Sequence, residues 1–361
     1  MYDIDAIQDI APFSMNKEEK EQFLSPILGE LTLHHYQNCP EYRRLMDAWP
    51  YDVHTLRSYY NIPFLPVRLF KEFDLRSIGS EEFTKEIVSS GTTGQQVARI
   101  FLDKETATNQ TRILTMIVND FLGNIRLPMI ILDSSSILQD RNLFSARGAG
   151  ILGFSIFGSD TLYALDEEMH LDFDALEVFL EKYRGKDIFL FGFTFMIWQH
   201  FYKELLASGR KLDLSRGILI HGGGWKKLTE EAVDNATYKQ ALEQLCGITK
   251  VYNFYGMVEQ TGTIYMECEH GYLHAPVFAD VIVRDVKDFS VTPVGQEGLI
   301  EVVSILPKSY PGHMLLTEDS GIIVGEDNCP CGRLGKYFLV LGRIKNAEIR
   351  GCGDTYATKF E

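Results

Sequence analysis

The sequence lacks an excess of positive charge: 35 Lys plus Arg stand against 50 Asp plus Glu, for a formal net charge of −15. Nucleic-acid backbones and anionic membrane surfaces are bound by clustered cations, so neither is the expected partner, whereas a basic protein is not excluded. It lacks any apolar run approaching the ~20 residues of a bilayer-crossing helix, so no membrane span is expected. Met1-Tyr2-Asp3-Ile4-Asp5 is acidic and mixed, unlike the basic and apolar start of a signal peptide. The expected location is therefore the cytoplasm. There the six cysteines are read as reduced, serving as metal ligands, nucleophiles or core residues rather than disulfides. Internal repeats and low-complexity linkers are also missing.

What is present is a chain of 361 residues, 45% hydrophobic, enough for one large domain or two ordinary ones. Lys17 to about Trp49 has helical patterning, broken at Asn61-Ile62-Pro63-Phe64-Leu65-Pro66. Ala98–Leu102 reads as a strand and Lys104 to Phe121 as a helix. Met129–Asp133, Ile188–Gly192 and Ile218–His221 are buried-strand candidates beside helical stretches, which is the α/β signature. From about Ile282 short strands separated by Gly/Pro turns take over.

The most informative stretch is Ser89-Ser90-Gly91-Thr92-Thr93-Gly94, following the apolar pair Ile87-Val88. Small side chains let backbone N–H groups approach an anion, glycine permits unusual backbone angles, and hydroxyls add donors, so a phosphate chain is the natural guest. Gln95 follows Gly94 where the common phosphate loop has lysine, which disfavours a kinase or GTPase. Taken alone, such a cluster is more often a surface turn than a phosphate site. Tyr252-Asn253-Phe254-Tyr255-Gly256-Met257-Val258-Glu259 sets an aromatic, a glycine and a carboxylate in what reads as a short turn, fit to stack on a purine and hold Mg²⁺. Thr317-Glu318-Asp319 offers an acid for ribose hydroxyls, and Gly342-Arg343 a cation for phosphate; alone, these are an acidic turn and a common dipeptide.

In that order, with Gly222 and Gly223 between them, these motifs resemble the adenylate-forming superfamily, whose members activate carboxylic acids with ATP. Glu348-Ile349-Arg350-Gly351 also resembles the stretch after that family's hinge. The branches it is most similar to are the phenylacetate–coenzyme A ligases and the acyl-protein synthetases of bacterial fatty acid reductase complexes. The resemblance runs from about Ile62 to the end. It implies the α/β layers and β-rich subdomain of that superfamily's large domain, over 1–343, with a helical segment over about 1–60 and the β-rich part over about 275–343. Relatives continue past the Gly-Arg motif with a C-terminal domain of about a hundred residues, a small-domain size. Here 344–361 reads as a truncated hinge and tail, with Ile344-Lys345-Asn346 where the hinge acid would stand and no counterpart of the adenylation lysine. The acyl-protein synthetase branch accounts for the short tail, because its members pass the acyl group to a cysteine near their own C-terminus. Gly351-Cys352-Gly353-Asp354-Thr355 resembles that site. A thiolate attacks the mixed anhydride of an acyl-adenylate readily, flanking glycines give reach, and Arg350 favours the thiolate.

The resemblance thus implies that Ser89, Ser90, Gly91, Thr92, Thr93 and Gly94 cradle phosphates, with Gly222, Gly223, Tyr255, Gly256, Asp319 and Arg343 completing the ATP site. Thr93 and Glu259 would place Mg²⁺, and Cys352 would take the acyl group. Phe191 to Trp198 is rich in large apolar groups where the family lines its acyl site, although a core helix would look the same; Phe193, His221 and Trp225 are the pocket candidates. Cys268-Glu269-His270-Gly271-Tyr272-Leu273-His274, with Cys329-Pro330-Cys331, pairs two groups of soft ligands suited to tetrahedral Zn²⁺. Some phenylacetate ligase relatives carry a similar set. Resemblance favours His274 with Cys268, Cys329 and Cys331, with His270 as the alternative, and four protein ligands imply a structural site.

The expected function is ATP-dependent activation of a fatty or other apolar carboxylic acid, then thioester transfer to a protein cysteine, feeding an acyl reductase that makes aldehyde. The rivals are transfer to coenzyme A or a carrier protein, and a catalytically degenerate binding subunit. A homo-oligomer is left open.

Overall fold

A computed structural model describes residues 7, 9–55, 58–79, 81–89, 97–138, 146–225 and 230–344. The described chain divides into two compact units, one taking the residues within 1–89, 95–121 and 256–348 and the other those within 122–255.

The first unit opens with α1, Lys17–Asn38. Asn16 caps it: its side chain accepts from the Glu19 N–H while the Glu19 carboxylate accepts from the Asn16 N–H, so two otherwise free donors are satisfied. α2, Pro40–Asp47, begins with proline, where the missing N–H costs nothing. β1 (Leu65–Pro66) and the single turn α3 (Leu69–Glu72) follow. β2 (Lys85–Val88) and β3 (Arg99–Leu102) then pair antiparallel as a separate two-stranded sheet, and α4 spans Lys104–Leu122.

In the second unit strand and helix alternate: β4 (Leu127–Ser134), α5 (Ala146–Ser155), β5 (Gly158–Leu165), α6 (Phe173–Lys182), β6 (Ile188–Phe193), α7 (Thr194–Met196), a π-helical stretch Ile197–Tyr202, α8 (Lys203–Ser208), β7 (Gly217–Gly222), α9 (Asn235–Cys246) and β8 (Lys250–Tyr255). The strands lie in the order β8-β7-β6-β4-β5, every neighbouring pair parallel. β4, β6 and β7 are buried along their whole length, which is why they read as unbroken apolar runs instead of alternating ones. Phe154 of α5 stacks on Phe191 of β6 with ring centroids 4.2 Å apart, and Phe254 of β8 joins them.

The chain then returns to the first unit with β9 (Tyr265–Glu267), β10 (Leu273–His274), β11 (Ala279–Arg284), β12 (Glu297–Ser304), β13 (Met314–Glu326) and β14 (Lys336–Arg343). They form an antiparallel sheet ordered β11-β12-β13-β14-β10-β9, with β1 parallel beside β13. The protein is thus of the α/β class with a large β-rich part. Ile188–Phe193 is strand, in keeping with the strand expected over Ile188–Gly192, with helix only from Thr194. Two segments differ from their local reading: Tyr252–Tyr255 is strand, not turn, and Thr317-Glu318-Asp319 lies inside β13. In each, pairing with a distant strand overrides local composition.

Two buried polar clusters fasten α1 to the first unit. Lys20, 2% exposed, sits 3.4 Å from one Asp280 oxygen and donates to Ala275 O at 2.9 Å. Lys336 and the Tyr59 hydroxyl donate to the other Asp280 oxygen. Burial opposes the Asp280 charge, but the Lys336 and Lys20 ammoniums outweigh it and hold the carboxyl below its ordinary value. Further along α1, the rings of His35 and His313 lie 4.8 Å apart. His35 Nε2 donates to Pro307 O at 3.0 Å, so its Nδ1 accepts from the Ser77 hydroxyl at 2.8 Å. Thr32 gives its only hydroxyl proton to Leu28 O, so His313 Nε2, 3.0 Å from Thr32 Oγ1, is the donor there. Full burial beside one another keeps both imidazoles neutral. Burial, with the neighbouring histidines, pushes His35 well below its ordinary value, and burial brings His313 down to about 3.

A histidine with a depressed folded-state pKa contributes full stability above its unfolded value of 6.5 and loses it as pH falls toward the folded one. Urea unfolding at about pH 5.5 is expected to show roughly 1.4 kcal/mol less stability per buried histidine than at about pH 7.5. His313→Gln, which cannot take the proton, should flatten that slope; identical slopes in wild type and variant would contradict the assignment.

Candidate catalytic and metal sites

The soft ligands come together. Cys268 follows β9 and His274 ends β10, so one hairpin carries both; Cys329 and Cys331 stand in the loop from β13 to β14. β10 pairs with β14, His274 opposite Tyr337, which brings hairpin and loop to one place. Both turns need a backbone angle that glycine adopts at little cost: Gly271 has φ 82° and Gly332 φ 81°. The ligand atoms of Cys268, His274, Cys329 and Cys331 all lie within 4.8 Å of one another, whereas His270 is outside the group. Cys268 Sγ and Cys329 Sγ are 3.9 Å apart, and His274 Nε2 is 3.4 Å from Cys331 Sγ. A tetrahedral zinc with Zn–S of ~2.3 Å and Zn–N of ~2.0–2.1 Å requires edges of about 3.8 and 3.6 Å. The donor set and its spacing therefore fit a closed structural zinc site. Burial raises the Cys268 thiol, pushes Cys329 up to about 12, and lowers His274 to about 4. A divalent cation is what would make thiolates favourable in such a place.

Ser89 closes the β2–β3 hairpin: its N–H donates to Ala98 O at 2.9 Å, and its hydroxyl oxygen accepts from Ala98 N–H at 2.8 Å. Ser90, Gly91, Thr92, Thr93 and Gly94 lie outside the described residues, as does Cys352.

Glu259 sits on a 3₁₀ turn, Val258–Gln260, and is 8% exposed. Burial raises its pKa, partly offset by the Lys71 and Arg343 cations. Its neighbour Gln260 holds the turn: Nε2 donates to Val302 O at 3.1 Å and to Gly312 O at 2.8 Å, which uses both amide protons. Asp319 and Arg343 are direct cross-strand partners of β13 and β14, with Arg343 Nε 3.6 Å from Asp319 Oδ1. Thr317 does not face outward with them. Its hydroxyl donates to Ile300 O at 2.8 Å and accepts from Asp319 N–H at 3.2 Å, which orients the acid.

In the second unit, polar groups gather at the carboxyl ends of the parallel strands, where open α/β sheets bind ligands. Thr194, just past β6, was not singled out by sequence. Its hydroxyl donates to Gly223 O at 2.8 Å, also lies 3.2 Å from Gly222 O, and accepts from His221 Nδ1 at 2.9 Å. His221, 2% exposed, is therefore neutral with Nε2 unprotonated; burial, then Lys239, lowers its pKa to about 3. Gly222 is required by close approach, since a Cβ there would lie 2.5 Å from the Phe254 ring. Phe193 is 3% exposed and packs on Gly150. Trp225 meets Trp198 edge-on at 5.3 Å and Tyr238 at 6.0 Å. Asp133, at the end of β4, pairs with Arg147 at 3.1 Å in full burial, and burial raises its pKa to about 6 despite the cation. A lone Asp and Arg give no sequence signal for such a pair.

Cys329→Ser is expected to reduce bound zinc from about one per chain to a small fraction and to lower the melting temperature, because the binding energy of a closed site is folding energy. Metal analysis of purified protein checks it; undiminished zinc in the variant would refute the ligand set. Gly222→Ala should lower stability through the Phe254 clash, with thermal unfolding as the readout, and unchanged stability would show that the ring yields freely.

The chain matches the family described as acyl-protein synthetase, LuxE, over residues 2–361. It is similar to the long-chain-fatty-acid–luciferin-component ligase of Vibrio harveyi, with 24% identity over 360 residues, 97% of this chain and 91% of the relative. The protein of that name from Aliivibrio fischeri is 24% identical over 364 residues, covering 97% and 92%. Among solved structures, an open conformation of 2-hydroxyisobutyryl-CoA ligase in complex with 2-HIB-AMP and CoA superposes with a TM-score of 0.68 at 16% identity, covering 97% of this chain and 83% of that one, which shows a shared fold. On the match over nearly its whole length, this chain belongs to the acyl-protein synthetase (LuxE) family.

Proposed function

We propose that the protein activates a long-chain fatty acid, or another apolar carboxylic acid, with ATP and transfers the acyl group to a cysteine. The observation that carries the reading is the family match across residues 2–361, and the long-chain-fatty-acid ligases of Vibrio harveyi and Aliivibrio fischeri add the substrate class. In the first step a carboxylate oxygen attacks the α-phosphorus of ATP, the bond to the bridging oxygen breaks, and pyrophosphate leaves. In the second a thiolate attacks the acyl carbon and AMP leaves.

The residue roles follow the motifs. The loop from Ser89 to Gly94 cradles phosphates, with Gly222, Gly223 and Gly256 letting backbone approach the nucleotide. Tyr255 stacks on adenine and Asp319 accepts from the ribose hydroxyls. Arg343 neutralises phosphate, and its cross-strand pairing with Asp319 supports their acting on one nucleotide. Glu259 and Thr93 hold Mg²⁺, which offsets charge that builds on the phosphates. Phe193, His221 and Trp225 line the acyl pocket. Cys352 is the acyl acceptor, and a reductase that converts acyl to aldehyde is the onward partner. Cys268, His274, Cys329 and Cys331 hold a structural zinc. Among the described residues no helix is long and apolar enough to cross a membrane, and the described cysteines are unpaired thiols. The free thiols support a cytoplasmic location.

Exchange of labelled pyrophosphate into ATP should depend on added fatty acid. Glu259→Gln should reduce it roughly 10²-fold or more, the scale for losing a charge-stabilising group. Cys352→Ala should leave exchange intact and abolish protein acylation by labelled fatty acid. Absence of exchange with every carboxylic acid tried would overturn the reading, and acylation of coenzyme A instead of protein would move the acceptor.

A further inference from the structure

Arg333 stands two residues beyond Cys331 and was given no role by any motif. It is four-fifths buried, with 19% of its side chain exposed. Its Nη2 and Nε donate to Asp120 Oδ2 at 3.0 and 3.3 Å, and its Nη1 to Glu269 Oε2 at 3.2 Å. Along the chain it is two residues from Cys331, and Glu269, which it holds, adjoins Cys268. The guanidinium also lies beside two rings, 4.6 Å from the centroid of Phe121 and 5.5 Å from that of Phe13. Phe13 in turn sets its edge toward His274 at 6.1 Å and toward Phe121 at 6.1 Å. The segment that carries it is stitched down by backbone, Leu334 N–H donating to Phe13 O at 3.0 Å and Val277 N–H to Pro12 O at 2.7 Å.

We propose that Arg333 is the outer-sphere cation of the metal site, governing how firmly the metal is held and tying its occupancy to the C-terminal turn of α4. This rests on the metal reading given above. Three thiolates and a neutral imidazole around a divalent cation carry one net negative charge, buried with Cys268 and His274 at 0% exposure. A buried charge needs a partner. Asp120 and Glu269 also sit on Arg333, but they are the better solvated side, with 32% and 54% of their side chains exposed. The cluster, three of whose four ligands are buried, is therefore the charge that gains most from the guanidinium. A planar fork holds Asp120 through two nitrogens and Glu269 through a third; a compact ammonium cannot match that spacing. A cation held beside metal-bound sulfur stabilises its charge, as outer-shell partners do elsewhere. Because Asp120 and Phe121 belong to α4, whatever orients Arg333 also holds that turn.

The test uses the full chain as purified, in wild type, Arg333→Gln, Arg333→Lys and Asp120→Asn forms. Zinc transfer to a chromophoric chelator should be about 10- to 100-fold faster in Arg333→Gln, the range for losing an outer-shell partner, and intermediate in Arg333→Lys. Hydrogen exchange should report the second half. In wild type, chelation should raise exchange across the last turn of α4; in Arg333→Gln it should already be raised and no longer respond. Asp120→Asn should loosen α4 while retaining zinc more nearly as wild type does. If Arg333→Gln does not fold, faster release from Arg333→Lys than from wild type carries the proposal, and equal release sinks it. Zinc retained equally by every form, with α4 responding equally to chelation, would overturn the role of Arg333 alone. Wild-type protein that neither contains nor takes up zinc would overturn the metal reading and this inference with it.

Discussion

The register of β13 against β14 is the constraint on which most of the first unit's chemistry depends. At one end of this antiparallel pair Asp319 stands opposite Arg343; at the other Glu326 stands opposite Lys336. The connection between the strands carries Cys329, Cys331 and Arg333. β10 pairs on the outer side of β14 and delivers His274 opposite Tyr337. Lys336, the first residue of β14, reaches the buried Asp280 and so locks the strand to β11. Side chains alternate faces along a strand, so a slip of one residue would turn Arg343 away from Asp319 and Lys336 away from Asp280 together. The two register shifts within the pair, at Ser320/Gly321 and Ile323/Gly325, run in opposite senses and cancel, so both ends share one register.

The second unit solves a different problem. Its central strands are buried throughout, so a polar side chain within them would be unsatisfied in an apolar layer. Polar groups are confined to the carboxyl ends, where Asp133, Thr194 and His221 each find a partner. Thr194 is central there. One hydroxyl ties the start of α7 to the turn after β7 and selects the tautomer of His221. The glycine at 222 lets the turn pass against the Phe254 ring.

Much of this was legible in the residues themselves. The unbroken apolar runs of β4, β6 and β7 declare buried parallel strands. The order of the small-residue loop, Tyr255, Glu259, Asp319 and Arg343 pointed to a carboxylate-activating family, and the two Cys/His groups offered soft ligands that the fold gathers within 4.8 Å. Other features were not legible. Tyr252–Tyr255 has the composition of a turn but pairs with β7, and Thr317–Asp319 has that of an acidic turn but lies in the longest strand. Arg333, Arg147, Gln260 and Thr194 carry no motif. Their importance comes from Asp120, Asp133, Gly312 and Gly223, each distant along the chain or unremarkable by type.

By itself the sequence determined which chemistry was on offer: the thiols and imidazole, the carboxylates and cation of the short motifs, and the hydrophobic runs that must be buried. Those are properties of residue type and short-range pattern, which a linear chain states directly. Only the tertiary structure decided which of those groups are neighbours. Asp319 meets Arg343, His274 rather than His270 joins the three cysteines, and Arg333 ties the loop after Cys331 to α4, because strand register and loop closure bring distant residues together. The physical reason is that local propensity is encoded residue by residue, whereas these contacts are selected by the burial of whole sheets and the satisfaction of the polar groups trapped within them.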